Sequence, residues 1–226
     1  MKFCAIVVLY NPEETNFLLE NFRSYEPYVE KFYLVDNSET EHAEIAKQLK
    51  NAEYISNKNH GGIGGAQNAG CNKAMSDGFE WAMTMDQDTA FEAEQIQKYV
   101  KTVEDFIQKD GTVASYSLRA ENLTDTSHWT DYLKALLRPI KRRLLGVKKM
   151  PSGSSYVVRC IASANIIRLA AWLKTGGFNE KLFIDQVDYD FCYRLSECGY
   201  KIVKFNDIYM NQHFGEAHGF TLFRKR

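Results

Sequence analysis

Phe3 to Leu9, FCAIVVL, is the stretch that most restricts what this chain can fold into. It is apolar throughout, rich in β-branched residues and too short to cross a membrane, so it reads as a buried strand. Tyr10-Asn11-Pro12 breaks it, and a helix is expected over Glu13–Tyr25. The pattern then repeats. Strands are expected at Lys31–Val35, Glu53–Ser56 and Glu80–Met85, and helices at Glu41–Leu49, Ala66–Ser76 and Phe91–Lys109. This alternation predicts an α/β fold, with a mostly parallel central sheet flanked by helices.

Polar residues gather where the predicted strands end: Asp36-Asn37-Ser38, Asn57 to Asn59, and Asp86-Gln87-Asp88. Open α/β sheets bind ligands outside the carboxyl ends of their strands, so three loops are expected to converge on one crevice. Beyond Val113–Tyr116 the pattern weakens. Residues 119–150 read as a loop with a short helix, Ser155–Arg159 and Lys201–Phe205 as strands, and Arg168–Lys174 and Tyr189–Cys198 as helices. One domain over 1–226 is expected.

Composition removes some classes of function. The net charge is −1, so no overall basic field points to nucleic acid. Cys4, Cys71, Cys160, Cys192 and Cys198 form no CxxC pair and are odd in number, which suits free thiols in a reducing cytoplasm. No signal peptide is read at the start, and any membrane contact is expected to be from the surface.

Four motifs and one histidine suggest chemistry. Asp86 and Asp88 stand one residue apart at a strand end, and such carboxylates suit hard cations such as Mg²⁺ and Mn²⁺; a solvated turn or a helix cap is the other reading. Asn59 to Ala66, NHGGIGGA, is a glycine-dense entry to a helix that could bring backbone N–H groups to phosphate, or could serve a tight turn. It is neither a dinucleotide fingerprint nor a P-loop. Asp36 could accept hydrogen bonds from a ligand or form an Asx-turn. Asp185, Asp188 and Asp190 lie in FIDQVDYDFCYR, where one could be a general base and others helix caps. His213 could be a third metal ligand.

These pieces together resemble family-2 glycosyltransferases of the GT-A fold, and within them the bacterial rhamnosyltransferase-like members. The resemblance spans almost the whole chain and rests on Val7 to Asn11, Val35 to Ser38, Asn59 to Gly70, Met85 to Asp88, Gly176-Gly177-Phe178 and Phe183 to Arg194. It implies a nucleotide-sugar half to about residue 110 and an acceptor half after it. It further implies that Tyr10 and Asp36 contact the donor's base and ribose. Asn59, Gly61 and Gly62 would line the nucleotide and sugar pocket. Asp88 would hold Mn²⁺ or Mg²⁺ directly, with Asp86 near both the donor's ribose and the metal and His213 a further ligand. Asp188 would be the base, with Asp185 its rival because Val187 stands where many members have Glu.

The implied reaction is inverting transfer of a sugar, L-rhamnose from dTDP-rhamnose by the branch resembled, to a saccharide or lipid-linked acceptor in bacterial surface polysaccharide synthesis. A sugar-phosphate nucleotidyltransferase and a non-catalytic nucleotide-sugar-binding protein are the alternatives. The basic and apolar segment 138–149 could lie on an anionic membrane at the cytoplasmic face, or be a solvated loop. The chain stops soon after His213, where family members often continue, so a shortened chain is expected.

Overall fold

The computed structural model describes residues 1–122 and 153–212. Segment 138–149 and His213 lie outside them. The described elements run β1 (Phe3–Leu9), α1 (Thr15–Arg23), β2 (Phe32–Asp36), β3 (Ala52–Ser56), α2 (Gly62–Ser76), β4 (Trp81–Asp86), β5 (Thr89–Ala90), α3 (Ala93–Lys109), β6 (Val113–Asn122), β7 (Ser154–Val157), β8 (Asn165–Arg168), α4 (Leu169–Lys174), α5 (Val187–Glu197) and β9 (Lys201–Gln212). They form one sheet in the order β3-β2-β1-β4-β8-β6-β9-β5, with β7 also paired to β9.

The first four strands in that order are parallel. Beyond β4 the sheet is mixed, because β8 runs antiparallel to both β4 and β6 while β6 and β9 are parallel. The expected parallel sheet therefore describes one side of the molecule. The expected donor and acceptor halves share this continuous sheet.

β1 explains the layering. Every residue of it is buried, so both faces need cover. Phe3, Ala5, Val7 and Leu9 point to one core, where Leu18, Leu19 and Phe22 of α1 and Ile96, Tyr99 and Val103 of α3 pack. Cys4, Ile6 and Val8 point to the other, with Ala66, Cys71 and Ala74 of α2 and Val187, Phe191, Cys192 and Leu195 of α5. The spacing along α5 is one face of a helix. All five cysteines are free thiols, four of them buried.

Several expectations are corrected. The segment expected as helix over Glu41–Leu49 is a 3-10 turn at Ala43–Gln48. Helix α2 starts at Gly62, not Ala66, so the glycine run forms a helix N-terminus instead of a loop. β8 was not expected, because its four residues, NIIR, run directly into the apolar helix α4 and no periodicity separates the two. β9 extends to Gln212, well past Phe205. Helix α5 begins at Val187, which puts Asp188 and Asp190 in its first turn.

Candidate active site

The parallel strands β1, β2, β3 and β4 all end at the same edge, where the loops meet in a crevice with two adjoining chambers. The outer chamber, ≈ 270 Å³, is lined by Tyr10, Asn37, Asn59, Gly62, Asp88 and Phe183 among others. The inner one, ≈ 220 Å³, is lined by Gln67, Ser163, Asp188 and Gln212 among others. Ile63, Asp86 and Ile184 belong to both. A larger cavity of ≈ 760 Å³ lies at the opposite end of β1 and β4, around Met1, Glu30 and Glu104, away from all the motifs.

Asp86 closes β4, and its backbone N–H donates to Ser163 Oγ at 3.2 Å. Gln212 Nε2 donates to Asp86 Oδ2 at 3.0 Å and to Asp88 Oδ1 at 3.4 Å, so one amide at the end of β9 bridges both carboxylates. Burial, followed by the charge of Asp88, pushes the Asp86 carboxyl up to about 6; Gln212 and Ser163 pull against this, and Asp188 adds to it. A divalent cation would relieve that crowding of negative charge, and two carboxylate ligands leave room for diphosphate and water oxygens. The donor set therefore fits Mg²⁺ or Mn²⁺. Among the described residues no group of three or more His, Cys, Asp or Glu gathers to hold a metal.

Asp188 lines the inner chamber from the first turn of α5. Burial raises its pKa against hydrogen bonds from backbone groups at Tyr189, Asp188 and Ala162. Asp185 is exposed on the preceding turn and lines neither chamber. Asp190 pairs with Arg194 at 2.6 Å, one helical turn on. Arg194 Nη1 also donates to the Thr175 and Gly177 carbonyls at 2.7 and 2.6 Å, so Asp190 helps fix the Gly176-Gly177 turn to α5.

Asp36 is 1% exposed and saturated. Its carboxylate accepts from Ser38 N at 2.9 Å, His42 N at 3.0 Å, His42 Nδ1 at 2.9 Å and Tyr54 Oη at 2.9 Å. Burial alone would raise its pKa; these hydrogen bonds outweigh it and hold the group below the usual carboxylate value. The Asx-turn is thus present, and Asp36 orders the loop that presents Asn37. Asn37 donates to the Gly62 carbonyl at 3.0 Å and accepts from Asn57 at 2.6 Å. Tyr10 is more than half exposed, and Gln87 clamps its backbone like a strand neighbour, accepting from its N–H at 2.9 Å and donating to its C=O at 3.1 Å.

Gly62 carries a structural requirement. Its φ is +62°, and an added Cβ would lie 2.1 Å from the Phe183 carbonyl oxygen, which accepts the Ile63 N–H at 2.8 Å. The glycine run thus lets α2 butt against the segment leading into α5. Among the described residues, six other than glycine adopt positive φ: Asn11, Lys58, Asn59, Ala164, Phe183 and Gln186. All sit in turns at this end of the sheet, where backbone strain commonly accompanies function.

The sequence motifs assigned no role to Gln67 and Gln87, which lie within them, and did not include Ser163 and Gln212. Glutamine and serine carry no spacing signature. Only the alternating burial of late β9 places Gln212 inward, and that strand is too polar to read as such.

No curated protein matches the chain. The structure of S. aureus TarS 1-349 is similar with a TM-score of 0.64 at 17% identity, covering 94% of this chain and 60% of that one. S. aureus TarS gives 0.63 at 16% identity, covering 95% of this chain and 37% of that one. This chain therefore spans less than two thirds of either, and the likeness carries the fold, an α/β GT-A arrangement. The model of Glycosyl transferase family 2 matches residues 4–164, well over half of the chain and including Asp36, the glycine run and Asp86 to Asp88. On that match, this chain belongs to glycosyl transferase family 2.

Proposed function

We propose that the chain is an inverting, metal-dependent glycosyltransferase that moves a sugar from a nucleotide-sugar donor to an acceptor hydroxyl. The observation that carries this reading is that Asp86 and Asp188 line one sugar-sized chamber while Asp86 and Asp88 line the adjoining one. The nucleotide belongs in the outer chamber, against Tyr10, Asn59 and Gly62, beside the loop that Asp36 orders; Gly61 does not line that chamber and packs against Glu180. The transferred sugar belongs in the inner chamber.

Asp188 takes the proton of the acceptor hydroxyl as that oxygen bonds to the anomeric carbon. The bond from that carbon to the diphosphate oxygen breaks on the opposite face, which inverts the centre. A carboxylate with a pKa raised by burial is a stronger base than a solvated one. The exposed position of Asp185 supports Asp188 over it. Asp88, Asp86 and His213 would hold Mn²⁺ or Mg²⁺, which when bound supplies neutralisation of the charge gathering on the leaving diphosphate.

The resemblance to rhamnosyltransferase-like members supports dTDP-rhamnose as the donor and a saccharide or lipid-linked acceptor of surface polysaccharide synthesis. The basic character of 138–149 supports contact with an anionic membrane at its cytoplasmic face. Among the described residues no helix is long and apolar enough to cross a membrane. The test is product analysis with dTDP-rhamnose and a panel of other nucleotide sugars, with Mn²⁺ and after chelation. Metal-dependent release of nucleoside diphosphate is expected. Release of pyrophosphate from a sugar phosphate and nucleotide would identify a nucleotidyltransferase, and no turnover of any donor would overturn the reading.

A further inference from the structure

The inner chamber holds two side-chain amides that the transfer chemistry leaves unused. Gln67, on α2, is 1% exposed and Gln212, at the end of β9, is 6% exposed. In both, the side-chain carbonyl oxygen is buried without a hydrogen-bond partner among the described residues. Native proteins seldom leave such an acceptor unmatched, and two in the lining of one cavity call for a donor to fill them. The assignment of Gln212 is chemically fixed, because the atom facing the Asp86 and Asp88 carboxylates must be the donating nitrogen. Its oxygen is then necessarily the orphan.

The remainder of the lining narrows the ligand. Among the described residues it contains two carboxylates, Asp86 and Asp188, and no lysine, arginine or histidine. Branched aliphatic side chains, Ile184 and Val187 among them, complete the wall. A volume of ≈ 220 Å³ is about seven water volumes at about 30 Å³ each, enough for one sugar ring. Sugar hydroxyls donate hydrogen bonds, which two amide oxygens can accept. A sugar carboxylate cannot donate to those oxygens, and even with a cation neutralising Asp86 it would face the Asp188 charge in a poorly solvated space.

Resting on the transfer reading above, we infer that Gln67 and Gln212 read hydroxyls of the transferred sugar, and that this chamber selects a neutral sugar over a uronate. Gln67 is the residue to perturb, since Gln212 also touches the proposed metal carboxylates. The experiment is equilibrium binding with Mn²⁺ to UDP and dTDP, to their glucose and glucuronate conjugates, and to dTDP-rhamnose. Thermal unfolding of the free protein is measured in parallel.

In the nucleotide series that binds, a neutral conjugate is expected to bind more tightly than the bare nucleotide, and the glucuronate conjugate at least about tenfold more weakly than the tightest neutral one. Gln67→Met should weaken that neutral donor by about three- to tenfold, the size of one lost neutral hydrogen bond. It should leave the bare nucleotide unchanged and the free protein's Tm equal or higher, because it removes an unmatched buried acceptor. Gln67→Leu repeats the test if the Met variant misfolds. Glucuronate binding as tight as any neutral sugar overturns the inference, as does an equal weakening of bare nucleotide and sugar conjugate. If UDP, dTDP and the other sugar-carrying nucleotides GDP and CMP all fail to bind, the transfer reading itself fails first.

Discussion

Gly62→Ala tests whether the seam between α2 and the segment entering α5 is as tight as the geometry says. At φ +62° an L side chain costs about 1–2 kcal/mol. The new Cβ would also lie 2.1 Å from the Phe183 carbonyl oxygen, a backbone atom that cannot rotate away. Relieving that overlap requires a shift of backbone, for about a further 1–3 kcal/mol, and risks the Ile63–Phe183 hydrogen bond. Gly78→Ala is the matched control, since Gly78 has φ +85° with nothing within 4 Å of an added Cβ. The control should show backbone strain alone. In a chain this long, each kcal/mol shifts Tm by about 2–4 °C, so Gly62→Ala should melt about 2–12 °C below Gly78→Ala. Differential scanning calorimetry of both variants and the parent makes the comparison. Equal melting temperatures would refute the reasoning, because the contact would then contribute nothing beyond φ.

Asp188→Asn should lower turnover by about 10²–10⁴-fold and leave donor affinity nearly unchanged, read from kcat and from direct binding. In the parent, kcat/KM should fall on the acid side through a pKa above that of ordinary aspartate, because burial raises Asp188 and the neutral acid is no base. An acid limb at the ordinary aspartate value would count against this assignment. Asp36 behaves oppositely: its folded pKa is lowered, so its stabilisation is complete above about pH 4 and is lost as pH falls through the folded value. Urea titrations between about pH 2 and 5 should show Asp36→Asn with a flatter pH dependence than the parent. Arg194→Ala leaves the Thr175 and Gly177 carbonyls without their donor, and should lower stability by about 1–3 kcal/mol in denaturant titration. Arg194→Lys should recover only part of it, since an ammonium cannot span both carbonyls and Asp190 as the guanidinium fork does.

Much of the donor-side architecture was legible because single residues there answer to one demand. The unbroken apolar run of β1 needs cover on both faces, and the polar clusters after β2, β3 and β4 mark strand ends wherever they fall. Asp86 and Asp188 could be placed near each other only through a family pattern, since 102 positions separate them and no local periodicity connects them. The missed features share a different cause. Glycine has poor intrinsic helix propensity, so the first turn of α2 reads as loop, and tertiary contact with Phe183 overrides that preference. The choice between Asx-turn and ligand contact at Asp36 depended on His42 and Tyr54, whose approach is a property of the folded loop.

Strand β8 has a consequence for how this molecule is made. Thr84 on β4 reaches a partner on Asn165, 81 positions later. When β4 leaves the ribosome, one side of it can pair with β1 at once, but the other presents open N–H and C=O groups until β8 has been synthesised. An unpaired edge of a buried, mostly apolar strand invites association with other chains. The first half of the protein is therefore a poor candidate for independent expression, and its nascent form is the stage at which a holding chaperone would matter most.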